Sequence, residues 1–311
     1  MKKYARVAVL VPCWNEESTV AKVVKDFKRA LPGANIFVYD NNSTDNTAAK
    51  AKQAGAIVRR ELQQGKGNVV RRMFLEVDAD AYIMVDGDDT YPAGAARGMV
   101  DAVLKEGVDM VVGDRLSSSY VKNNKRRFHG FGNNFVRRLI NHLFKSDIRD
   151  VMTGYRAFSY RFVKTFPVLS SGFEIETEMT IHAVDKNMQI KNVVVDYRDR
   201  PAGSKSKLDT IPDGVRVLRT IVQLFRDYKP FRFWGVIAAV LYAISIAFVI
   251  PVFIDYANTG IVERFPTLIV CGFAFITATL SLFAGVILQA ILRNNRREFE
   301  FKLHLIEQRK K

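Results

Sequence analysis

The run Tyr82-Ile83-Met84-Val85-Asp86-Gly87-Asp88-Asp89-Thr90-Tyr91-Pro92 holds the residues best placed to do chemistry. An apolar stretch fit for a buried strand stops at three carboxylates, and Pro92 begins the next element. Ligands of an open α/β sheet bind beyond the carboxyl ends of its strands. Asp86 and Asp88 therefore stand where a ligand would. Two such carboxylates can share a hard divalent cation, Mg²⁺ or Mn²⁺, which prefers oxygen donors and bridges diphosphate oxygens. Taken alone, an acidic turn in which Asp89 or Thr90 caps the following helix would look the same. The rest of the chain separates the two readings.

The elements that must position these residues alternate at short intervals. Arg6 to Val11 predicts a strand, broken by Pro12-Cys13-Trp14-Asn15-Glu16-Glu17. A helix opening at Glu17 or Ser18 follows, with Val20, Val23, Val24 and Phe27 at helical spacing. Pro32-Gly33 ends it. Ala34 to Tyr39 is a second strand, which stops at the turn-forming run Asp40-Asn41-Asn42-Ser43-Thr44-Asp45. A helix over Thr47 to Ala54, a strand over Ala56 to Arg59 and a helix from Gly65-Lys66-Gly67-Asn68 to Val77 come next, and Asp109 to Gly113 makes a further strand. This alternation predicts a mostly parallel α/β sheet. Asn15 and Glu16, Asp40, and Asp86 and Asp88 then share one sheet edge, the layout of a nucleotide site. The fingerprint G-x-G-x-x-G is missing after the first strand and there is no Walker sequence, which excludes the two common nucleotide folds. Later, Phe173 to Val184 reads as a helix whose Glu174, Glu176 and Glu178 suit the dipole at its start. Gln189 to Tyr197 reads as a late strand.

The last part of the chain has another character. Phe233 to Ile254 and Phe265 to Leu292 contain no charged residue, and each exceeds the roughly 20 residues that cross a bilayer. The net charge of +15 is gathered around them: Arg226, Lys229 and Arg232 precede the first span, and Arg293, Arg296 and Arg297 follow the second. Only Asp255, Glu263 and Arg264 are charged between the spans. The positive-inside rule then puts both termini and the N-terminal domain in the cytoplasm of a cell whose membrane the chain crosses twice. No signal-peptide pattern precedes Tyr4. Cys13 and Cys271 fall in different compartments on this topology and form no disulfide framework. Without a helix-turn-helix, zinc or aromatic strand motif, nucleic acid is not an expected partner. Anionic lipid headgroups and phosphate-bearing substrates account better for the positive charge.

Together, Val-Pro-Cys-Trp-Asn-Glu, Asp-Asn-Asn-Ser-Thr-Asp, Gly-Lys-Gly-Asn and Asp-Gly-Asp-Asp resemble the family 2 glycosyltransferases of the GT-A fold. Asp150-Val-Met-Thr-Gly154-Tyr-Arg156-Ala, Gly172-Phe-Glu-Ile-Glu-Thr-Glu178 and Arg200-Pro-Ala-Gly203-Ser-Lys-Ser-Lys207-Leu are similar to the polyprenyl-phosphate members, which include dolichyl-phosphate mannose synthase and the enzymes that charge undecaprenyl phosphate. The resemblance implies an α/β GT-A domain, Rossmann-like with a mostly parallel sheet, over residues 1–208. An amphipathic juxtamembrane helix over 209–232, two transmembrane helices within 233–292 (about 233–254 and 266–292) and a basic cytoplasmic tail over 293–311 complete the expected order. It implies inverting transfer of a hexosyl group from a nucleoside diphosphate sugar to a polyprenyl phosphate, which supplies a lipid-linked sugar for envelope glycan or glycoprotein assembly. Further partners are membrane lipids and, in a homo-oligomer, other copies of the chain.

Residue by residue, the resemblance sets Pro12, Asn15, Glu16, Asp40 and Asn42 at the nucleoside, Lys66 at the diphosphate, and Asp86 at sugar or ribose. On the same resemblance Asp88 would be the main metal ligand, aided by Asp86; Asp150 is a candidate for positioning, because an ionised acceptor phosphate needs little help from a general base. Dolichyl-phosphate mannose synthases typically carry Gln two residues after the second Asp. Thr90 stands there, which leaves the third metal contact open to water. Residues 115–138 include Arg115, Lys122, Lys125, Arg126, Arg127, Arg137 and Arg138. They read either as a solvated basic face or as an attractor for the lipid phosphate. The resemblance places the acceptor phosphate at Arg115, Arg127, Arg200 and Lys205, with His129 and Asn133 less supported. Two other readings compete: a processive polysaccharide synthase, whose Gln-x-x-Arg-Trp motif neither Trp14 nor Trp234 completes, and a non-catalytic membrane scaffold, which intact Asp86 and Asp88 oppose.

Overall fold

The central apolar runs become strands because each is short and able to bury both faces, while the edge strands over Ile57–Arg60 and Ile190–Val194 stay partly exposed. The computed structural model describes residues 6–117, 137–138, 140–142, 145–172, 174–198, 222–223 and 225–310. The chain divides into two compact units, Met1–Ile211 with Lys302–Lys311, and Pro212–Phe301.

In the first unit the elements run β1 (Val7–Cys13), α1 (Val20–Ala30), β2 (Asn35–Asp40), α2 (Thr47–Gln53), β3 (Ile57–Arg60), α3 (Lys66–Glu76) and β4 (Ala81–Met84). They continue through a 3₁₀ turn (Ala93–Ala95), α4 (Ala96–Glu106), β5 (Met110–Asp114), β6 (Arg156–Ser159), α5 (Tyr160–Thr165), α6 (Ile175–Asp185) and β7 (Ile190–Val194). The seven strands form one sheet in the order β3-β2-β1-β4-β6-β5-β7. Five strands match the expected runs within a residue or two. The strand that local pattern missed is β6, which pairs antiparallel with both β4 and β5. Only four residues long, it begins with an arginine, and no periodicity separates it from the motif before it.

That insertion positions the site. β1 and β2 end side by side at Cys13 and Asp40. Met84 of β4 and Val112 of β5 both face Arg156, the first residue of β6. The carboxyl ends of β1, β2, β4 and β5 and the start of β6 therefore share one edge. Below it the core is apolar: Val20, Val23, Val24 and Phe27 of α1 are buried, as are all four residues of β4. The Val, Ile, Met and Phe side chains among them contribute about 1.5–3 kcal/mol each when fully buried.

The second unit is built on α7 (Pro230–Thr259), and α8 (Phe265–Lys310) begins within it. Their most apolar stretches reach mean hydropathy 2.7 and 2.1, and length and composition suit a transmembrane hairpin. Gly260, left-handed at φ 71°, closes α7, and Arg264 pairs with Asp255 across the short turn at 3.1 Å. The helices meet through small and polar groups: Tyr242 OH lies 2.8 Å from Thr279 Oγ1, and Ser245 donates to the Cys271 carbonyl at 2.9 Å. A Cβ on Gly285 would stand 3.1 Å from Cβ of Trp234, so glycine permits this approach. The basic tail continues the helix of the second span to Lys310. Of the expected amphipathic helix over 209–232, residues 209–221 and 224 lie outside the described residues, and 230–232 begin α7.

Candidate active site

The loops after β1 and β2 are stitched to each other. Asn15, at a positive φ of 53°, donates its N–H to Ser43 Oγ at 2.9 Å, and its carboxamide oxygen accepts from Thr44 N at 2.8 Å. Glu16 N donates to Thr47 Oγ1 at 2.8 Å. Short polar side chains here shape loops, which is why they are frequent in turns. Pro12 lies within β1 opposite Tyr39, and Asp40 is buried with Oδ1 lacking a hydrogen-bond partner. Asn42, also at positive φ, donates to the Leu62 carbonyl at 2.6 Å. Its neighbour Asn41, not singled out from sequence, is the stronger clamp. It donates to the carbonyls of Glu61 and Gln63 and accepts from Gly65 N at 2.7 Å, holding the loop that delivers Lys66.

The acidic run after β4 splits three ways. Asp86 Oδ1 lies 2.5 Å from Lys66 Nζ, and its carboxylate lies against Gly154, where a Cβ would collide with it. Asp88 is buried and its Oδ1 accepts from Thr90 Oγ1 at 2.7 Å and Thr90 N at 3.2 Å. Thr90 thus orients Asp88. Asp89 turns away at φ 57° to pair with Lys22 of α1 at 2.6 Å. Cys13 reports how closely the acids gather: burial, then the charges of Glu16, Asp40, Asp86 and Asp88, push its thiol well above the usual range.

Lys66 is flanked by glycines for a reason that tertiary contact supplies. A Cβ at Gly65 or Gly67 would strike the carbonyls of Ser171 and Ser170, and Gly67 N donates to Ser171 O at 3.0 Å. This contact brings the start of α6 to the lysine, where Glu176 Oε1 lies 2.5 Å from Nζ. Burial would lower the Lys66 pKa, but the Asp86 and Glu176 carboxylates outweigh it and hold the ammonium above the ordinary lysine range.

A second charged cluster lies between β5 and β6. Arg115 Nε donates to Asp150 Oδ2 at 2.8 Å, and its other nitrogens reach Tyr91 OH and the Met152 carbonyl at 3.3 Å each. Tyr197 lies under the guanidinium at 5.6 Å. Tyr91, pushed up to about 12 by burial, also contacts Thr153 Oγ1 and Gly154 N at 3.4 Å. Arg156 is fully buried on neutral groups, with Nη2 on the Val151 carbonyl at 2.6 Å and Nη1 on Thr180 Oγ1 at 2.9 Å. The edge therefore gathers Asp40, Lys66, Asp86, Asp88, Arg115 and Asp150. Arg127, Arg200, Lys205, His129 and Asn133 lie outside the described residues.

Asp86 and Asp88 offer hard oxygen donors, and no group of three or more His, Cys, Asp or Glu side chains suited to a metal occurs among the described residues. That donor set fits a Mg²⁺ or Mn²⁺ that keeps water and takes further ligands from substrate phosphates, as Mg²⁺ usually does.

A family model described as Glycosyl transferase family 2 matches residues 8–166. Glycosyltransferase AglJ of Haloferax volcanii is 35% identical over 230 residues, 74% of this chain and 75% of the relative. A dolichyl-phosphate hexose transferase of the same organism is 28% identical over 218 residues, 70% of this chain and 93% of that one. Among solved structures, glucosyl-3-phosphoglycerate synthase from Mycobacterium tuberculosis with Mn²⁺, uridine diphosphate and phosphoglyceric acid shares the fold. Its TM-score is 0.55 at 21% identity, over 70% of this chain and 77% of that chain.

Proposed function

Because this chain belongs to glycosyl transferase family 2, we propose that it moves a hexosyl group from a nucleoside diphosphate sugar to a membrane polyprenyl phosphate. One observation carries the reading: Asp86 and Asp88 follow β4 beside a buried lysine, in a chain whose two apolar helices suit a membrane. The relative named for dolichyl phosphate and the fold neighbour that binds Mn²⁺ and uridine diphosphate support it.

Asp86 and Asp88 would hold Mg²⁺ or Mn²⁺, which when bound neutralises charge on the departing diphosphate. Lys66 adds a fixed positive charge toward the same diphosphate, where charge grows as the bond to the anomeric carbon breaks. A phosphate oxygen of the lipid attacks that carbon from the opposite face, so the new bond forms with inversion. The phosphate is already ionised at neutral pH and needs no general base. Asp150, committed to Arg115 at 2.8 Å, suits positioning of that arginine near the acceptor. We assign Pro12, Asn15, Glu16, Asp40 and Asn42 to the nucleoside and Arg115 to the lipid phosphate; the resemblance adds Arg127, Arg200 and Lys205, which lie outside the described residues.

On this reading residues 1–232 and 293–311 face the cytoplasm, where nucleotide sugars are made. With Cys13 and Cys271 removed, an impermeant maleimide on intact cells should label a cysteine placed at Asn258 and spare one at Lys302. The activity test is the purified full chain with undecaprenyl phosphate and a panel of nucleotide sugars, followed by mass spectrometry of the lipid. A glycosylated phospholipid that EDTA prevents is the expected product; transfer only to soluble or polymeric acceptors overturns the reading.

A further inference from the structure

Three glutamates open α6, and a helix dipole would welcome all of them equally. The structure gives them different work. Glu178 turns back on the preceding loop, accepting from Leu169 N and Ser170 N at 3.0 Å and from Ser170 Oγ at 2.5 Å. Glu176 is buried, with a side chain 6% exposed, and lies 2.5 Å from Lys66 Nζ. A dipole needs no buried acid, and taking a carboxylate out of water costs several kcal/mol unless a partner offsets it. Lys66 is such a partner, but it already has Asp86 at 2.5 Å. One carboxylate neutralises one ammonium; Asp86 is the more open of the two, with its side chain 27% exposed, and the buried Glu176 adds a second negative charge that the nearby Arg156 guanidinium only partly balances.

The spacing of lysine and glutamate is set from both sides. The Gly65-Lys66-Gly67 backbone is seated against Ser170 and Ser171, where neither glycine could carry a Cβ. The first turns of α6 are pinned by Thr180, which accepts from Arg156 and donates to the Glu176 carbonyl, both at 2.9 Å. Glu176 therefore has little freedom to leave when a donor arrives, whereas Asp86 borders the acidic run at the strand end.

We propose that Glu176 is a positioning residue that competes with the donor diphosphate for the Lys66 ammonium, fixing where that charge stands and limiting how tightly the diphosphate is held. The proposal rests on the reading that Lys66 faces a donor diphosphate. A carboxylate held beside the ammonium repels the incoming phosphates across a few ångströms of protein, a large effect at the effective dielectric of such sites. Diphosphate is also the product that must leave, so restraint on its affinity favours turnover.

The test measures binding of UDP, GDP, ADP, CDP and dTDP, and of the matching monophosphates, with Mn²⁺ to the full chain in detergent. In Glu176→Gln, which keeps an oxygen for Lys66 but removes the charge, the nucleoside diphosphate bound by the wild type should bind at least about tenfold tighter. The matching monophosphate should change much less. Glu176→Asp withdraws the charge by one methylene and should give a smaller tightening, which provides the reading if the Gln variant does not fold. Glu178→Gln should lower the melting temperature without tightening the diphosphate. Unchanged or weaker diphosphate binding in both Glu176 variants overturns the competitor role while leaving the donor reading intact. A wild type that binds no nucleoside diphosphate, UDP, GDP, ADP, CDP and dTDP included, overturns the donor reading, and this proposal with it.

Discussion

In the sheet unit Arg156, Asp88, Asp150 and Glu176 are buried, while in the helix pair Val240, Phe248, Phe273 and Phe283 are exposed and the polar side chain inside is Ser245. The contrast is one rule applied to two solvents. Against water, a domain hides apolar surface and can keep a charge inside only with an ionic partner or a set of hydrogen bonds, as Lys66 is kept by two acids and Arg156 by carbonyls and a hydroxyl. Against lipid, apolar side chains gain nothing by meeting each other, so the helices associate through close packing and a few hydrogen bonds. Loss of a single group should therefore be severe in the first unit and mild in the second.

The largest expected effect is on the acids that follow β4. Asp88→Ala should lower lipid glycosylation by about 100–1,000-fold or more, and Asp86→Ala nearly as much, in a protein that still melts cooperatively. Transfer that survives either change, or survives EDTA, would break the assignment of these carboxylates to a cation. Next comes Lys66→Met, which leaves the buried Glu176 and the half-buried Asp86 without their cation. It should cost about 3–5 kcal/mol in denaturant unfolding of the sheet unit within the full chain, as removal of one partner of a buried pair typically does. A loss below about 1 kcal/mol would show that water reaches this cluster.

A pH titration sharpens the contrast further. His182 packs edge-on against Phe162 and Phe166 at 5.7 and 5.1 Å, and burial lowers its pKa to about 4. The unfolded chain, with an ordinary histidine near 6.5, binds the extra proton first as pH falls. Stability should thus decline between pH 6.5 and 4 by up to about 3 kcal/mol. His182→Leu should flatten that part of the profile; an unchanged slope would assign it to carboxylates instead. The second unit, Pro212–Phe301, contains no histidine and adds nothing to this slope through that side chain. The smallest effect belongs to Tyr242→Phe, which removes the bond to Thr279 and should cost about 0.6 kcal/mol in micelle unfolding. A cost several times larger would mean that this hydrogen bond, rather than packing, holds the helices together.

Much of this molecule is written locally. Val20, Val23, Val24 and Phe27 recur at helical spacing and all four are buried; the β-branched runs are strands; the uncharged stretches are the two long helices. Asp86 and Asp88 were legible because a strand that stops at acids is a pattern within a dozen residues. Side-chain period, turn chemistry and charge content are properties of neighbours in the chain, and they survive without knowledge of the fold.

What only the tertiary structure decided lies between residues far apart in sequence. Glu176 and Glu178 are chemically the same and two positions apart, yet one meets Lys66 and the other caps its own loop. Gly154 carries no sign in the sequence that Asp86 will occupy the place of its Cβ, and Arg156 gives none that it will open an antiparallel strand between β4 and β5. Thr90, in place of the expected glutamine, reads as a missing ligand until its hydroxyl is seen on Asp88. In each case the residue type permits several partners of similar energy, and close packing admits one of them.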